Sequence, residues 1–213
     1  MKRFLIMVLV FIMVPLAAAS AHASGIGFYA GGGSGDSEID TGSYWWALTN
    51  SNSSDMEMGS AGLVFDTNLS EDRLFNYRLE LGKGKYTWKD FPKGQESELE
   101  QTVMTHDFGF GILRTKAVRL WLGPEIRLSK TNDTVNGVDY DMMGFGFGLA
   151  LGLNINLIDP ITIGLKASFL NQTLNGDYSY DDPMFGLISQ DISVDDNISM
   201  LTAALIFRFG ERF

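Results

Sequence analysis

The sequence predicts an all-β chain: a closed antiparallel eight-stranded transmembrane β-barrel, connected as an up-and-down meander. Three observations carry that prediction. The first is Gly144 to Leu157, where every odd position from Phe145 to Leu157 is large and apolar and every even position from Gly144 to Asn156 is small or polar. A period of two marks a strand with one apolar face and one small, polar face. The run is longer than a soluble strand needs and suits a tilted crossing of a bilayer, which takes about 9–11 residues. The second is an N-terminal targeting segment: basic Lys2 and Arg3, an apolar run from Phe4 to Ala19, and the small-x-small triplet Ala21-His22-Ala23. It reads as a cleaved signal peptide over residues 1–23, leaving one domain over 24–213. The third is an alternation of long and short connections, expected when turns are short on the periplasmic side and loops long outside.

Composition agrees. Residues 1–23 hold two of the 16 basic residues and none of the 26 acidic ones, so the mature charge is 14 − 26 = −12. That balance argues against nucleic acid as a partner. No later run of about 18 apolar residues offers a transmembrane helix. With no cysteine, disulfides, thiolate metal sites and a cysteine nucleophile are excluded.

The strands are counted by alternation. Strand one is expected near Ile26–Gly33, then a long polar segment, Ser34–Asp55, holding Trp45-Trp46. Strand two is expected near Glu57–Leu69, with Leu63, Phe65 and Leu69 on one face. The turn Ser70–Arg73 leads to strand three, Phe75–Trp88, with Tyr77, Leu79 and Leu81 outward and Arg78, Glu80 and Gly82 inward. A loop over Lys89–Glu98 precedes strand four, Leu99–Thr115, with Phe108, Phe110 and Ile112 outward and Asp107 inward. After a tight turn at Lys116-Ala117, strand five places Leu120, Leu122, Ile126 and Leu128 outward and Arg119, Trp121, Glu125 and Arg127 inward. Asn136-Gly137 is a two-residue hairpin signal before the 144–157 strand. Ile158-Asp159-Pro160 turns into strand seven, Ile161–Thr173, with Lys166 inward. A long acidic loop is expected over Asn175–Asp196, and strand eight ends the chain with Leu201, Ala203, Leu205, Phe207, Phe209 and Phe213 on one face.

These features together resemble the small eight-stranded outer-membrane barrels of Gram-negative bacteria, the OmpA and OmpX type. In that family a C-terminal aromatic with apolar residues at alternate positions before it is the signal read by the barrel-assembly machinery. Leu205, Phe207, Phe209 and Phe213 match that pattern, and Glu211 departs from it. The resemblance implies residence in the outer membrane, contact with its lipids and lipopolysaccharide, and no cofactor.

Eight strands enclose an interior just wide enough for side chains to fill. Simple hairpin pairing sets Gly148 near Glu125, Gly146 near Arg127, Gly152 near Lys166, Asp66 beside Arg78 and Glu80 beside Asp107. Desolvating a lone charge is costly, so buried charges persist when paired. The expected lumen network is Asp66, Arg78, Glu80, Asp107, Arg119, Glu125, Arg127 and Lys166. The alternative is that these charges line a thin, wet pore.

Catalytic signals are sparse. The one histidine after residue 23, His106, adjoins Asp107, but neighbours on a strand face opposite ways, so adjacency makes no catalytic pair. Its expected place, outward between Leu81 and Ile126, resembles the lipid-facing site of outer-membrane lipid A deacylases, whose His-x-Ser pair is not matched because Phe108 stands at the serine position. No metal-ligand set is found. Lys83 and Lys85 fall on the outward face, where they suit lipopolysaccharide phosphates. The favoured reading is instead a bulge at Gly82 and Gly84 that turns them inward and sends Tyr86 and Trp88 to an aromatic girdle. Trp45, Trp46, Met184 and Phe185, apolar at loop positions, are candidates for contact with an extracellular partner that the sequence does not name. The functional expectation is a non-enzymatic surface protein for membrane integrity, adhesion or contact. A narrow channel for small or hydrophobic solutes is the alternative, and a lipid-modifying enzyme the third reading.

Overall fold

Apolar alternation around the whole sheet leaves it one way to satisfy its backbone in hydrocarbon: every strand must pair on both sides, so the sheet closes. The computed structural model, which describes residues 24–42, 50–67, 74–91 and 96–209, shows that closure. Eight strands run in chain order: β1 Ser24–Thr41, β2 Asn50–Asp66, β3 Phe75–Trp88, β4 Ser97–Arg114, β5 Val118–Val135, β6 Val138–Ile158, β7 Ile161–Asp182 and β8 Gly186–Phe209. Each pairs antiparallel with its neighbour, and β1 pairs with β8. One row of partners leaves β1 at Ser37, passes Asp196, Gln172, Gly146, Arg127, Thr105, Glu80 and Val64, and returns to β1 at Gly27, a stagger of ten residues. That stagger tilts the strands and sets which side chains share a level of the lumen.

The outward faces form a belt of exposed Ile, Leu and Phe, among them Phe28, Phe75, Phe108, Leu122, Phe145, Phe147, Leu149 and Phe169. Soluble proteins rarely expose so broad an apolar surface; this one is dressed for lipid. The belt ends at Ala30 on β1, Leu81 on β3, Phe169 on β7 and Leu201 on β8. Ser34, Lys83, Asn171 and Ser199 lie beyond those ends.

Four expectations are corrected. The described parts of 34–55 and the whole of 175–196 are not loops: β1 runs to Thr41, β2 begins at Asn50, β7 and β8 carry on as paired strands, and only 183–185 separates β7 from β8. Period two persists there in another register of chemistry, with Ile192, Val194 and Ile198 turned inward and Asp191, Asp195 and Asn197 outward. Connection lengths therefore do not alternate: 42–49, 67–74 and 89–96 are alike, and the asymmetry lies in how far strands overrun the belt at the end away from Ser24 and Phe209. Third, β3 and β4 pair two residues away from the expected register, so Asp107 lies opposite Arg78, Glu80 opposite Thr105, and His106 between Leu79 and Ile126. A two-residue slip preserves the faces, because side chains alternate with the same period. Fourth, β3 has no bulge: β2–β3 pairing is regular, Lys83 and Lys85 stay exposed, Lys85 pairs with Glu98, and Tyr86 and Trp88 are buried inside.

The turns expected at Lys116-Ala117, Asn136-Gly137 and Ile158–Pro160 are present, while the one expected at Ser70–Arg73 lies outside the described residues. Asn136 and Gly137 take φ of 54° and 79°, the left-handed pair that a tight hairpin needs. Asp159-Pro160, a cis peptide bond, joins β6 to β7 at the belt's edge.

Candidate functional site

The lumen is built in two layers, each from the inward residues of several strands. The membrane layer is ionic. Lys166 on β7 points into the lumen, and its Nζ lies 2.9 Å from Glu80, 3.0 Å from Asp107 and 3.2 Å from Glu125. Arg78 grips Glu80 from the same strand, with Nη2 2.7 Å and Nε 2.9 Å from Oε1. Asn154 donates to Asp66 at 3.3 Å. These ion-paired side chains are 0–4% exposed. Arg119 lies lower, donating to the Leu74 carbonyl at 3.3 Å. Arg127 lies higher: its Nη1 meets the Met200 sulfur at 2.9 Å, and no carboxylate among the described residues comes within 4.0 Å of it. The eight charges of the expected network therefore divide. Arg78, Glu80, Asp107, Glu125 and Lys166 form one connected set, with Asp66 and Arg119 toward its Ser24 end and Arg127 above it.

Trp121 closes the membrane layer toward the Ser24 end. Its ring lies over Gly152 so closely that a Cβ there would fall 2.0 Å from Cε2. Gly152 is small because an indole occupies the space.

Above the belt the layer changes character. Ile39, Met56, Met58, Tyr86, Trp88, Leu99, Tyr140, Met142, Leu174 and Val194 pack into a buried apolar cluster. Between the layers stands a polar knot drawn from four strands. Asp196, 2% exposed, accepts hydrogen bonds from Ser37 Oγ at 2.6 Å, Tyr86 OH at 2.7 Å and Gln172 Nε2 at 3.4 Å, while Trp88 Nε1 donates to Tyr86 OH at 2.9 Å. Asp196 stands beyond Leu201, outside the membrane span. Burial pushes its carboxyl up to about 6 despite those three donors. Burial, and then the neighbouring Asp196 charge, hold the Tyr86 hydroxyl well above the usual tyrosine value. Sequence reasoning assigned Asp196 to a loop and missed this knot. The signal was present in the alternation Ile192, Val194, Asp196, Ile198, Met200, all inward.

The remaining candidates are placed as follows. Leu205, Phe207 and Phe209 face outward and are exposed, while Phe213, Trp45 and Trp46 lie outside the described residues. Met184 and Phe185 stand exposed at the β7–β8 turn. His106 faces outward yet is 1% exposed, under a cover that includes Tyr77, whose hydroxyl is 2.6 Å from Nδ1. Among the described residues no group of three or more His, Cys, Asp or Glu is placed to hold a metal ion.

No family model matches the chain, and no curated protein matches it by sequence. Solved structures do. The outer membrane protein OprG from Pseudomonas aeruginosa superposes with a TM-score of 0.62 at 13% identity, over 90% of this chain and 97% of that one. The fold is that of a bacterial outer-membrane barrel. Lower scores are found for Ail of Yersinia pestis, TM-score 0.34 at 14% identity over 88% and 99% of the two chains. The outer membrane protease OmpT from Escherichia coli gives 0.38 at 8% identity over 89% and 98%. The likeness to OprG is one of fold alone.

Proposed function

We propose that this chain is an integral outer-membrane protein that neither conducts nor catalyses, a plugged barrel that holds a long, acidic β-structure at the cell surface. The filled lumen carries this reading. A water-wide path would wet the groups it passes, yet the connected charges of the membrane layer are 0–4% exposed and an apolar cluster stands above them. Salt-bridged plugging is thus favoured over a wet lining, because each carboxylate of the connected set meets a cation. The non-enzymatic part rests on His106, which is shielded from solvent and held by Tyr77. The outward row Leu205, Phe207, Phe209 suits recognition by the barrel-assembly machinery. Lys83 is exposed two residues beyond Leu81, which supports a role for its point charge against a lipopolysaccharide phosphate.

Single-channel recording of the refolded mature protein in planar bilayers tests the proposal. A silent bilayer, with folding verified by heat-modifiable migration, is the expected result. Steady, discrete openings would overturn it and make the ionic layer a selectivity lining.

A further inference from the structure

Among the described residues the β7–β8 hairpin overruns the belt furthest. From Leu170 to Asp182, β7 rises past Phe169, which at about 3.3 Å per residue and the usual tilt puts its tip roughly 30 Å beyond its own belt. At that tip Met184, Phe185 and Leu187 are 85%, 77% and 71% exposed. They are held there rather than merely left there. The Asp182 Oδ1 accepts hydrogen bonds from the backbone N–H of Met184 at 2.7 Å and of Phe185 at 3.0 Å, and Gly186 closes the turn at φ 76°. Leu187 sits opposite Asp181 in the ladder, extending the apolar surface from the turn onto the strand.

Two properties select what covers this tip. Its area is small: three side chains of about 150–200 Å² each fall short of the roughly 800 Å² per partner of a stable protein interface. Insertion into a bilayer surface needs no such area. The second property is charge. Residues 170–200 include six aspartates and no Lys or Arg, and like charges face one another across strands, with Asp177 opposite Asp191 and Asp141 opposite Asp177. That surface repels anionic lipid and complements the outermost ammonium groups of a phosphocholine headgroup layer.

We propose that Met184, Phe185 and Leu187 insert into a second, zwitterionic lipid surface facing the membrane that holds the barrel. The proposal rests on the surface-facing reading above, which conductance tests separately. A silent barrel that ignores vesicles would overturn this proposal alone.

The test is co-sedimentation of the full mature protein, held in lipid nanodiscs, with sucrose-loaded vesicles. One set is phosphatidylcholine, the other phosphatidylcholine mixed with phosphatidylglycerol. The wild type should pellet with the first and much less with the second, the difference shrinking as salt rises. The M184S/F185S/L187S variant changes only exposed side chains, so it should fold as judged by heat-modifiable migration and lose at least about tenfold in vesicle binding. Absence of binding to phosphatidylcholine, equal binding to both vesicle types, or undiminished binding by the triple variant would each overturn the proposal. So would a tip that cross-links to a protein while ignoring vesicles.

Discussion

Replacing Lys166 with methionine keeps an unbranched side chain, shorter by one heavy atom, and removes its charge. In the wild type its ammonium touches three carboxylates at 2.9, 3.0 and 3.2 Å, and among the described residues only Glu80 has a second cation in contact, Arg78. K166M therefore strands Asp107 and Glu125 in an interior that water does not reach. Leaving one buried charge uncompensated costs about 3–5 kcal/mol, a large share of the roughly 5–15 kcal/mol that holds a domain folded. Expected is a loss of about 3–5 kcal/mol at neutral pH, read by urea unfolding of vesicle-inserted protein through tryptophan fluorescence. The variant K166M/D107N/E125Q removes the stranded charges along with the lysine and should recover most of that loss. A K166M loss below about 1 kcal/mol, the scale of an exposed ion pair, would refute the argument, as would a triple variant no more stable than the single one.

Further outcomes follow from other sites. E80A/K166A empties the centre of the ionic layer and should turn a silent bilayer into one with discrete conductance events, whereas D182N should stay silent. Asp196 titrates near 6 when folded against the ordinary 3.8, so its contribution is fully present below pH 3.8 and lost as pH rises through 6. The loss amounts to about 3 kcal/mol. D196N, which does not titrate, should therefore gain on the wild type by about that amount between pH 4 and pH 8 in unfolding measured across the range. G152A drives a methyl into the Trp121 ring, from which its Cβ would be 2.0 Å. A loss of about 1–3 kcal/mol is expected in the same assay. Y77F removes the hydrogen bond to His106 Nδ1 and should cost about 0.5–1.5 kcal/mol while leaving the gel shift intact.

The barrel was legible in the sequence because lipid and lumen impose opposite chemistry on alternate residues. From Phe145 to Leu157 no other fold explains seven large side chains in phase. Facing was also legible: Arg78, Asp107, Glu125 and Lys166 all point inward as read, since parity survives any even slip. Register was not. Whether Asp107 meets Arg78 or Glu80 depends on where the β3–β4 connection turns, and the polar residues 89–96 carry no phase. The outer extensions escaped for another reason. Past the belt the outward face becomes polar, so a reading tuned to apolar-outward alternation sees a loop, although Ile192, Val194 and Ile198 keep period two with their apolar side turned in. Asp196 is hidden twice over, an inward carboxylate within an acidic stretch.

The inversion above the belt has a thermodynamic consequence. In the membrane half the lumen is held by ion pairs and by backbone pairing shielded in hydrocarbon, so little of its internal cohesion comes from withdrawing apolar side chains from water. In the upper half, Met56, Trp88, Leu99 and Leu174 withdraw from water as in a soluble protein, and that withdrawal carries a heat-capacity change and weakens on cooling. One continuous set of strands is thus held at its two ends by forces with different temperature dependence. Cold should loosen the surface end first, with the ionic layer below still closed.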